Sequence, residues 1–262
     1  MDLFTRIEAA SPLLHRTGWA MLAAALGFLL AGAIDPTQLY GINIWIKPIK
    51  FALSIALFVW TMALILEPLG PWSARPWLAR AIALAMIVEM ALIGLQAARG
   101  VASHYNIKTG FDAAVFQVMG FMIVVNTVAT AGVFLGYVWR DTAADPLVAN
   151  GIRAGLLLFL AGSLVGMLMV ANMGHTIGAP DGGPGLPFLN WSTTHGDLRV
   201  AHAAGLHALQ ALPLIALLLL RLMPNASRTL QTLALLAASF LYLAAFVHTL
   251  RQAISGQPLL RL

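Results

Sequence analysis

The sequence predicts an all-α, polytopic membrane protein, a seven-transmembrane-helix bundle. Of its 262 residues, 60% are hydrophobic and 10% are charged, whereas a soluble domain carries about 25% charged residues. Seven apolar runs reach the length of about 20 residues that a helix needs to cross a hydrocarbon core about 30 Å thick. Because the backbone in lipid must satisfy its own hydrogen bonds, and these runs are too long for barrel strands, each run is expected to be a helix.

The apolar runs leave almost nothing for a separate soluble part, so we expect one domain over residues 1–262. The expected spans are residues 17–34, 48–66, 77–99, 112–139, 152–173, 197–222 and 227–250. The segment Ala31-Gly32-Ala33 resembles a signal-peptide cleavage site, and cleavage there would leave six spans. The long stretch before the first apolar run carries acidic residues, which favours a retained first helix.

The charge and the cysteine content indicate which partners and which location to expect. The chain has no cysteine, which excludes disulfides and thiolate metal ligands. The formal net charge of +5 comes without a basic run, so the expected partners are the lipid bilayer and a small-molecule or lipid-like ligand, not nucleic acid. Arginines and lysines in free loops are more numerous on the side of the membrane that holds the N-terminus, which indicates that this side is cytoplasmic. We therefore expect an inner-membrane protein with a cytoplasmic N-terminus and a periplasmic C-terminus, and we call the periplasmic side the outer side.

The second span begins at Lys47-Pro48-Ile49-Lys50, since proline suits the first turn of a helix. A lysine there faces the positive end of the helix dipole, which costs about 0.3–1 kcal/mol unless an anion compensates. Both lysines can extend to lipid headgroups. Alternatively, Lys47 and Lys50 bind an anionic group of a substrate or of the protein itself, which makes them candidate substrate-binding residues.

The third span carries the strongest periodic polar signal. Glu89, Gln96 and Ser103 are spaced by seven residues, with Arg99 between the last two, and this spacing predicts a polar stripe from mid-membrane to the outer surface. An ionisable residue at the depth of Glu89 is a functional candidate by default. We take Glu89 and Ser103 as candidate catalytic residues and Gln96 and Arg99 as candidate substrate-binding residues.

The fourth and sixth spans open with Asp112 and Asp197, at positions that favour helix N-caps. A role as metal ligand or general base is the alternative that makes both of them catalytic candidates. In the fifth span Gly162 and Gly166 form a Gly-xxx-Gly pair, which lets two helix backbones approach closely. The connection 174–196 that follows is the only long one, and loops of this length often serve as lids or binding loops.

Histidines at the outer ends of the spans suggest a metal site. His195, Arg199 and His202 are spaced i, i+4, i+7, so they share one face if the sixth helix begins early enough to include His195. His248 in the seventh span has a comparable depth to His202, and a short connection predicts that these two spans are neighbours. We take His104, His202 and His248 as candidate ligands of zinc or non-haem iron, and His195 and Arg199 as candidate substrate-binding residues.

Seven helices with outer-end His, Ser and Asp residues resemble the ceramidase and adiponectin-receptor class of zinc membrane hydrolases in topology and residue types. The resemblance implies a zinc-bound water acting on an amphiphile. The chain departs from the pattern of that class, which has His-x-x-x-His in its last helix. Here the seventh span has only His248, while His202 and His207 are five residues apart in the sixth.

Four hypotheses for the function follow. The first is a metal-dependent hydrolase or transferase that acts on an amphiphilic or anionic substrate in an outward-facing pocket. The second is a haem-b redox protein, with His202 and His248 as axial ligands or with His207 in such a role. The third is a transporter that uses Glu89 for proton coupling. The fourth is a receptor that binds a small ligand under the loop 174–196.

Overall fold

Long apolar runs determine the secondary structure. The computed structural model describes residues 2–261, and within this part of the chain seven helices are long and apolar enough to cross a membrane. The predicted all-α, polytopic class is therefore confirmed. A short helix, α1 Leu3–Ala10, comes first. The seven long helices are α2 Pro12–Ile34, α3 Ile46–Leu66, α4 Arg75–Ala98, α5 Gly110–Trp139, α6 Pro146–Ala171, α7 Leu198–Leu222 and α8 Arg228–Ile254.

Two short antiparallel strand pairs lie between helices and were not predicted. The strands are β1 Gln38–Leu39 paired with β2 Ile42–Asn43, and β3 Thr176–Ile177 paired with β4 Gly196–Asp197. The second pair joins the two ends of the loop 174–196. The loop therefore leaves the end of α6 and returns beside the same point at the start of α7.

Capping residues explain where the helices begin. Ser11 and Asp145 are the N-caps of α2 and α6, their side chains accept hydrogen bonds from backbone N–H groups of the first turn, and a proline follows each of them. These two helices therefore start five and six residues before the predicted spans at 17 and 152, because hydropathy detects the first apolar residue and not the cap. The short helix α1 was not predicted. Asp2 caps it, and a hydrogen bond from the Thr5 side chain lowers the pKa of that carboxyl.

The chain forms two compact units, the first ending at Val133 and the second beginning at Phe134, so the boundary falls inside α5. In the first unit α2 packs against α3, and α3 packs against α4. In the second unit α6 packs along α7, and α7 packs against α8. The single domain over residues 1–262 stays a prediction.

Glycines allow the close approach of α6 and α7. A Cβ atom on Gly155 would lie 2.7 Å from the carbonyl oxygen of Ala208, and one on Gly162 would lie 2.8 Å from the Cα of Gly205. Both distances are shorter than a van der Waals contact, so a larger residue at either position would push the helices apart. The predicted packing role of Gly162 is confirmed.

Candidate functional site

In the first unit, the short strand pair before α3 positions the start of that helix. Asp35 accepts hydrogen bonds from the backbone of Thr37 at 3.0 Å and from the Trp45 indole at 2.9 Å. Hydrogen bonds from the Thr37 side chain and backbone and from Trp45 hold the pKa of Asp35 below its ordinary value. Asn43 donates to the Asp35 carbonyl and accepts from the Trp45 backbone. The chain therefore enters α3 in one fixed direction.

The helix α3 begins at Ile46, so Lys47 and Lys50 lie in its first turn as predicted. The Lys47 ammonium is 3.2 Å from Nδ1 of His104, and the Ser103 hydroxyl is 3.0 Å from the same nitrogen. A charged lysine only donates hydrogen bonds, so Nδ1 accepts and a neutral His104 carries its proton on Nε2. We call Lys47, Ser103 and His104 the lysine–histidine cluster.

Aromatic rings surround the lysine–histidine cluster. The ring centres of Phe51, Tyr105 and Phe116 are 5.9, 5.9 and 6.4 Å from that of His104, and the Lys47 ammonium is 5.7 Å from the centre of the Phe51 ring. Tyr105 has a φ of +57°, a conformation that bulky residues rarely adopt. The cluster thus combines a cation and an imidazole with apolar faces, and such surroundings suit an anion that carries an apolar part.

Beside this cluster, Asp112 connects the end of α4 to the start of α5. It is 3% exposed, and it accepts hydrogen bonds from Arg99 at 2.6 Å, from Gln96 at 3.0 Å and from the Thr109 hydroxyl at 2.7 Å. Arg99 also donates to the Gln96 side chain. The predicted N-cap role of Asp112 is wrong, because Asp112 lies in the first turn of α5 and its own backbone N–H donates to Thr109.

The predicted polar stripe on the third span is correct only in part. Glu89 and Gln96 are both buried on one face of α4. The helix ends at Ala98, however, so Ser103 is not on it and reaches the lysine–histidine cluster through the turn that follows. The spacing of seven residues from Gln96 to Ser103 does not describe one helical face.

Glu89 is a second buried acid of the first unit, besides Asp112. It lies in the middle of α4 and is 2% exposed, and neither carboxyl oxygen has a hydrogen-bond partner among residues 2–261. The helix α3, which carries Lys47, packs against α4. The other helices packed against α4 carry ionisable residues near their starts, at His15 and Arg16 in α2 and at Asp112 in α5, and α5 also carries Tyr137 near its end.

In the second unit, Asp197 is the N-cap of α7, as predicted. Its buried carboxylate accepts hydrogen bonds from the Arg199 backbone and guanidinium and from the Ser192 backbone, at 2.7 to 3.0 Å. Arg199 also donates to the Asn190 carbonyl. The guanidinium of Arg199 therefore links the loop 174–196 to the start of α7 by hydrogen bonds.

His195 does not share a helical face with Arg199 and His202, so that prediction is wrong. The helix α7 begins at Leu198, and His195 lies in the preceding turn, where its Nδ1 is 2.9 Å from the Thr194 hydroxyl. The Asp197 cap excludes the earlier start that the shared face required.

Sequence reasoning missed His175 and Asp181 in the same loop. Nδ1 of His175 is 3.3 Å from Asp181 and 3.8 Å from Asp197, and Asp181 also accepts from the backbone N–H groups of His175 and Thr176. An imidazole oriented by carboxylates is an arrangement that general bases use. The only signal in the sequence was a histidine at one end of a long loop that also holds an aspartate.

The candidate metal ligands have different surroundings. His202 of α7 has its Nδ1 2.8 Å from the carbonyl oxygen of Gly162, so Nδ1 donates and faces α6. His248 is exposed and lines a cavity at the end of α8, while Nδ1 of His104 faces Lys47. Throughout the described chain, no group of three or more His, Asp or Glu side chains is arranged to hold a metal ion. His104, His202 and His248 as metal ligands stay a prediction.

No family model, no curated protein and no solved structure matches this chain.

Proposed function

We propose that this chain is a proton-coupled membrane transporter, with the lysine–histidine cluster binding an organic anion and Glu89 carrying the coupled proton. The observation that carries the proposal is the environment of Glu89. Its carboxyl group is buried in a membrane-spanning helix, and among the described residues no group donates a hydrogen bond to either oxygen.

The energetic cost of this environment is the reason to assign a function to it. An ionised carboxylate without partners costs several kcal/mol when it is buried, whereas a protonated carboxyl is neutral and costs much less. An apolar residue of similar volume would avoid both costs. Ionisable residues kept inside a membrane characteristically mark ion pathways and proton relays.

Lys47 provides the coupling between the two sites. The Lys47 ammonium is 3.2 Å from the His104 imidazole, and the helix α3 that carries Lys47 packs against α4, which carries Glu89. A bound anion would compensate the lysine charge, so the ionised form of Glu89 would lose electrostatic stabilisation and take up a proton. Anion and proton would therefore bind together, and by linkage the proton strengthens anion binding by the same factor.

The surroundings of the lysine–histidine cluster define the class of substrate. An ammonium group, a hydroxyl group and an imidazole are present for the anionic group, and three aromatic rings are present for an apolar part. We propose an amphiphilic or aromatic organic anion that enters from the outer side of an inner membrane. Benzenesulfonate is a suitable probe, because it is aromatic and remains charged at every working pH.

Uptake by proteoliposomes tests the proposal. The purified full chain is reconstituted, and uptake of labelled benzenesulfonate is compared with and without an acid-outside pH gradient. We expect the gradient to drive accumulation, Glu89→Gln to remove the effect of the gradient, and Lys47→Met to reduce uptake at every pH. Glu8→Gln is the matched control, because Glu8 is an exposed carboxylate on α1. Gradient-driven uptake that Glu89→Gln leaves intact would contradict the proposal.

A second candidate function rests on His202. A histidine whose Nδ1 donates to a backbone carbonyl presents Nε2 to a metal in the usual orientation, which suits an axial ligand of haem b. The expected observation is a Soret band in the purified protein that His202→Ala removes. A metal-dependent hydrolase or transferase stays a prediction, and stoichiometric zinc or iron in the purified protein would support it.

A further inference from the structure

An open surface pocket with a volume of about 540 Å³, which we call the cavity, lies at the end of α8 in the second unit. Its walls include His248, Arg251, Ser255 and Arg261, and the transport proposal uses none of them. Small-molecule sites in proteins have volumes of about 300–1,000 Å³, so this cavity has room for a ligand of that size.

Hydrogen bonds hold the wall of the cavity in place. After α8 the chain reverses at Gly256, which has a φ of +72°, a conformation that glycine adopts without strain. The backbone of Gln257 then donates to the Gln252 carbonyl at 3.0 Å, and the Gln252 side chain donates to the Pro258 carbonyl at 2.6 Å. A wall fixed in this way loses little conformational entropy when a ligand binds.

The charge of the lining is positive. Arg251 and Arg261 contribute two guanidinium groups, His248 adds an imidazole, and the lining residues that the structure describes include no acid. The carbonyl groups at the end of α8 oppose an anion with roughly half a negative charge. Those of Arg251, Gln252 and Ala253 already accept backbone hydrogen bonds, so the two full positive charges outweigh them.

We propose that this cavity binds a phosphate group, carried by an anionic phospholipid or present as free phosphate. The planar guanidinium group matches two phosphate oxygens at once, which makes arginine the preferred residue for this anion. The Ser255 hydroxyl and the His248 imidazole are further hydrogen-bond donors in the same lining.

The position of the cavity along α8 suits the headgroup layer of a membrane. His248 lies six residues before the end of the helix at Ile254, about 9 Å along the axis at 1.5 Å per residue. The cavity thus extends from the end of a membrane-spanning helix towards the hydrocarbon. Exposed apolar side chains of Ile254, Leu259 and Leu260 are close to it in the chain, and they can contact acyl chains of a bound lipid.

Thermal unfolding of the full chain in neutral detergent tests this proposal. Phosphatidylglycerol, phosphatidylcholine and inorganic phosphate are titrated separately, and apparent dissociation constants are taken from the shift in unfolding temperature. We expect phosphatidylglycerol to stabilise the protein more than phosphatidylcholine, and Arg251→Gln to weaken its binding about tenfold or more, the loss expected for a hydrogen bond to a charged group. Arg221→Gln is the control, because Arg221 is an exposed arginine in the last turn of α7.

Ser255→Asp is a second variant that places a negative charge in the cavity without removing an arginine, and it should also abolish the preference for phosphatidylglycerol. Stabilisation by inorganic phosphate equal to that by phosphatidylglycerol would support the proposal and identify free phosphate as the ligand. Equal effects of both phospholipids with none from phosphate, or unchanged binding in Arg251→Gln and Ser255→Asp, would overturn it. Neither result bears on Glu89, so the two proposals fail independently.

Discussion

Two regions of the first unit, the middle of α4 and the junction of α4 with α5, each bury one carboxyl group, and their partners differ. Glu89 and Asp112 are almost equally buried, at 2% and 3% exposed. Asp112 accepts hydrogen bonds from three side chains, whereas Glu89 accepts none from the described residues. Burial therefore does not separate a structural acid from a functional one. The hydrogen-bond donors around the carboxyl group do distinguish the two acids. They lead to opposite expectations for substitutions at the two positions.

Asp197 in the second unit extends this comparison and should give the largest effect. Asp197→Ala leaves the buried backbone of Ser192 and the guanidinium of Arg199 without their acceptor. We expect the free energy of unfolding to fall by about 3–5 kcal/mol, the usual cost of removing one partner from a buried ion pair. Chemical denaturation in detergent measures it, and a loss below that of an ordinary surface substitution would show that the network does not stabilise the fold.

Asp112→Ala should cost less than Asp197→Ala, because the side chain of Arg99 is 35% exposed and water can replace the lost carboxylate. Thr109→Ala is the comparison variant. It removes the helix cap together with one of the three side-chain hydrogen bonds to Asp112, and it should cost about 1 kcal/mol. If Asp112→Ala were no more harmful than Thr109→Ala in the same denaturation experiment, the carboxylate would act only as part of the cap.

Glu89→Met, unlike Asp197→Ala and Asp112→Ala, should leave the free energy of unfolding unchanged or raise it. Replacing a buried ionisable residue by an apolar one of similar volume is often neutral or stabilising by about 1 kcal/mol or more. We expect an unchanged or higher unfolding temperature together with the loss of gradient-driven benzenesulfonate uptake. Strong destabilisation by Glu89→Met would instead assign Glu89 to the same structural class as Asp112.

Arg6→Ala should have the smallest effect. Arg6 pairs with Glu67 at 2.7 Å, but their side chains are 51% and 33% exposed, and exposed pairs contribute about 0–1 kcal/mol. A shift in unfolding temperature within the scatter of replicate measurements is the expected result. A loss as large as that of Asp112→Ala would mean that ion pairing, and not burial with full hydrogen bonding, determines stability here.

Local chemistry made much of the fold predictable from the sequence. Apolar runs identified the seven long helices, the position at the start of the sixth span identified the cap Asp197, and spacing identified the close packing at Gly162. Lys47 was predicted in the first turn of its helix, and an anion was expected near it.

The predictions that failed depend on contacts between distant parts of the chain. His175 and Asp181 meet because β3 and β4 close a loop without periodicity, so no spacing rule could connect them. Ser103 and His195 were placed on helices by spacing alone, but α4 ends at Ala98 and α7 begins after Asp197. A helical period carries information only as far as the helix extends, and loop and cap geometry determine that extent.

Proton uptake on anion binding is the most direct test of the role of Glu89. Benzenesulfonate is added to the purified protein in weakly buffered detergent solution at several pH values, up to an alkaline pH at which Glu89 is ionised before the anion binds, and a pH indicator records the protons taken up. The wild-type protein should take up protons as the anion binds, Glu89→Gln should bind the anion without proton uptake, and Glu8→Gln should behave like the wild type. Equal proton uptake by the wild type and by Glu89→Gln, or anion binding by the wild type without any uptake, would contradict the account.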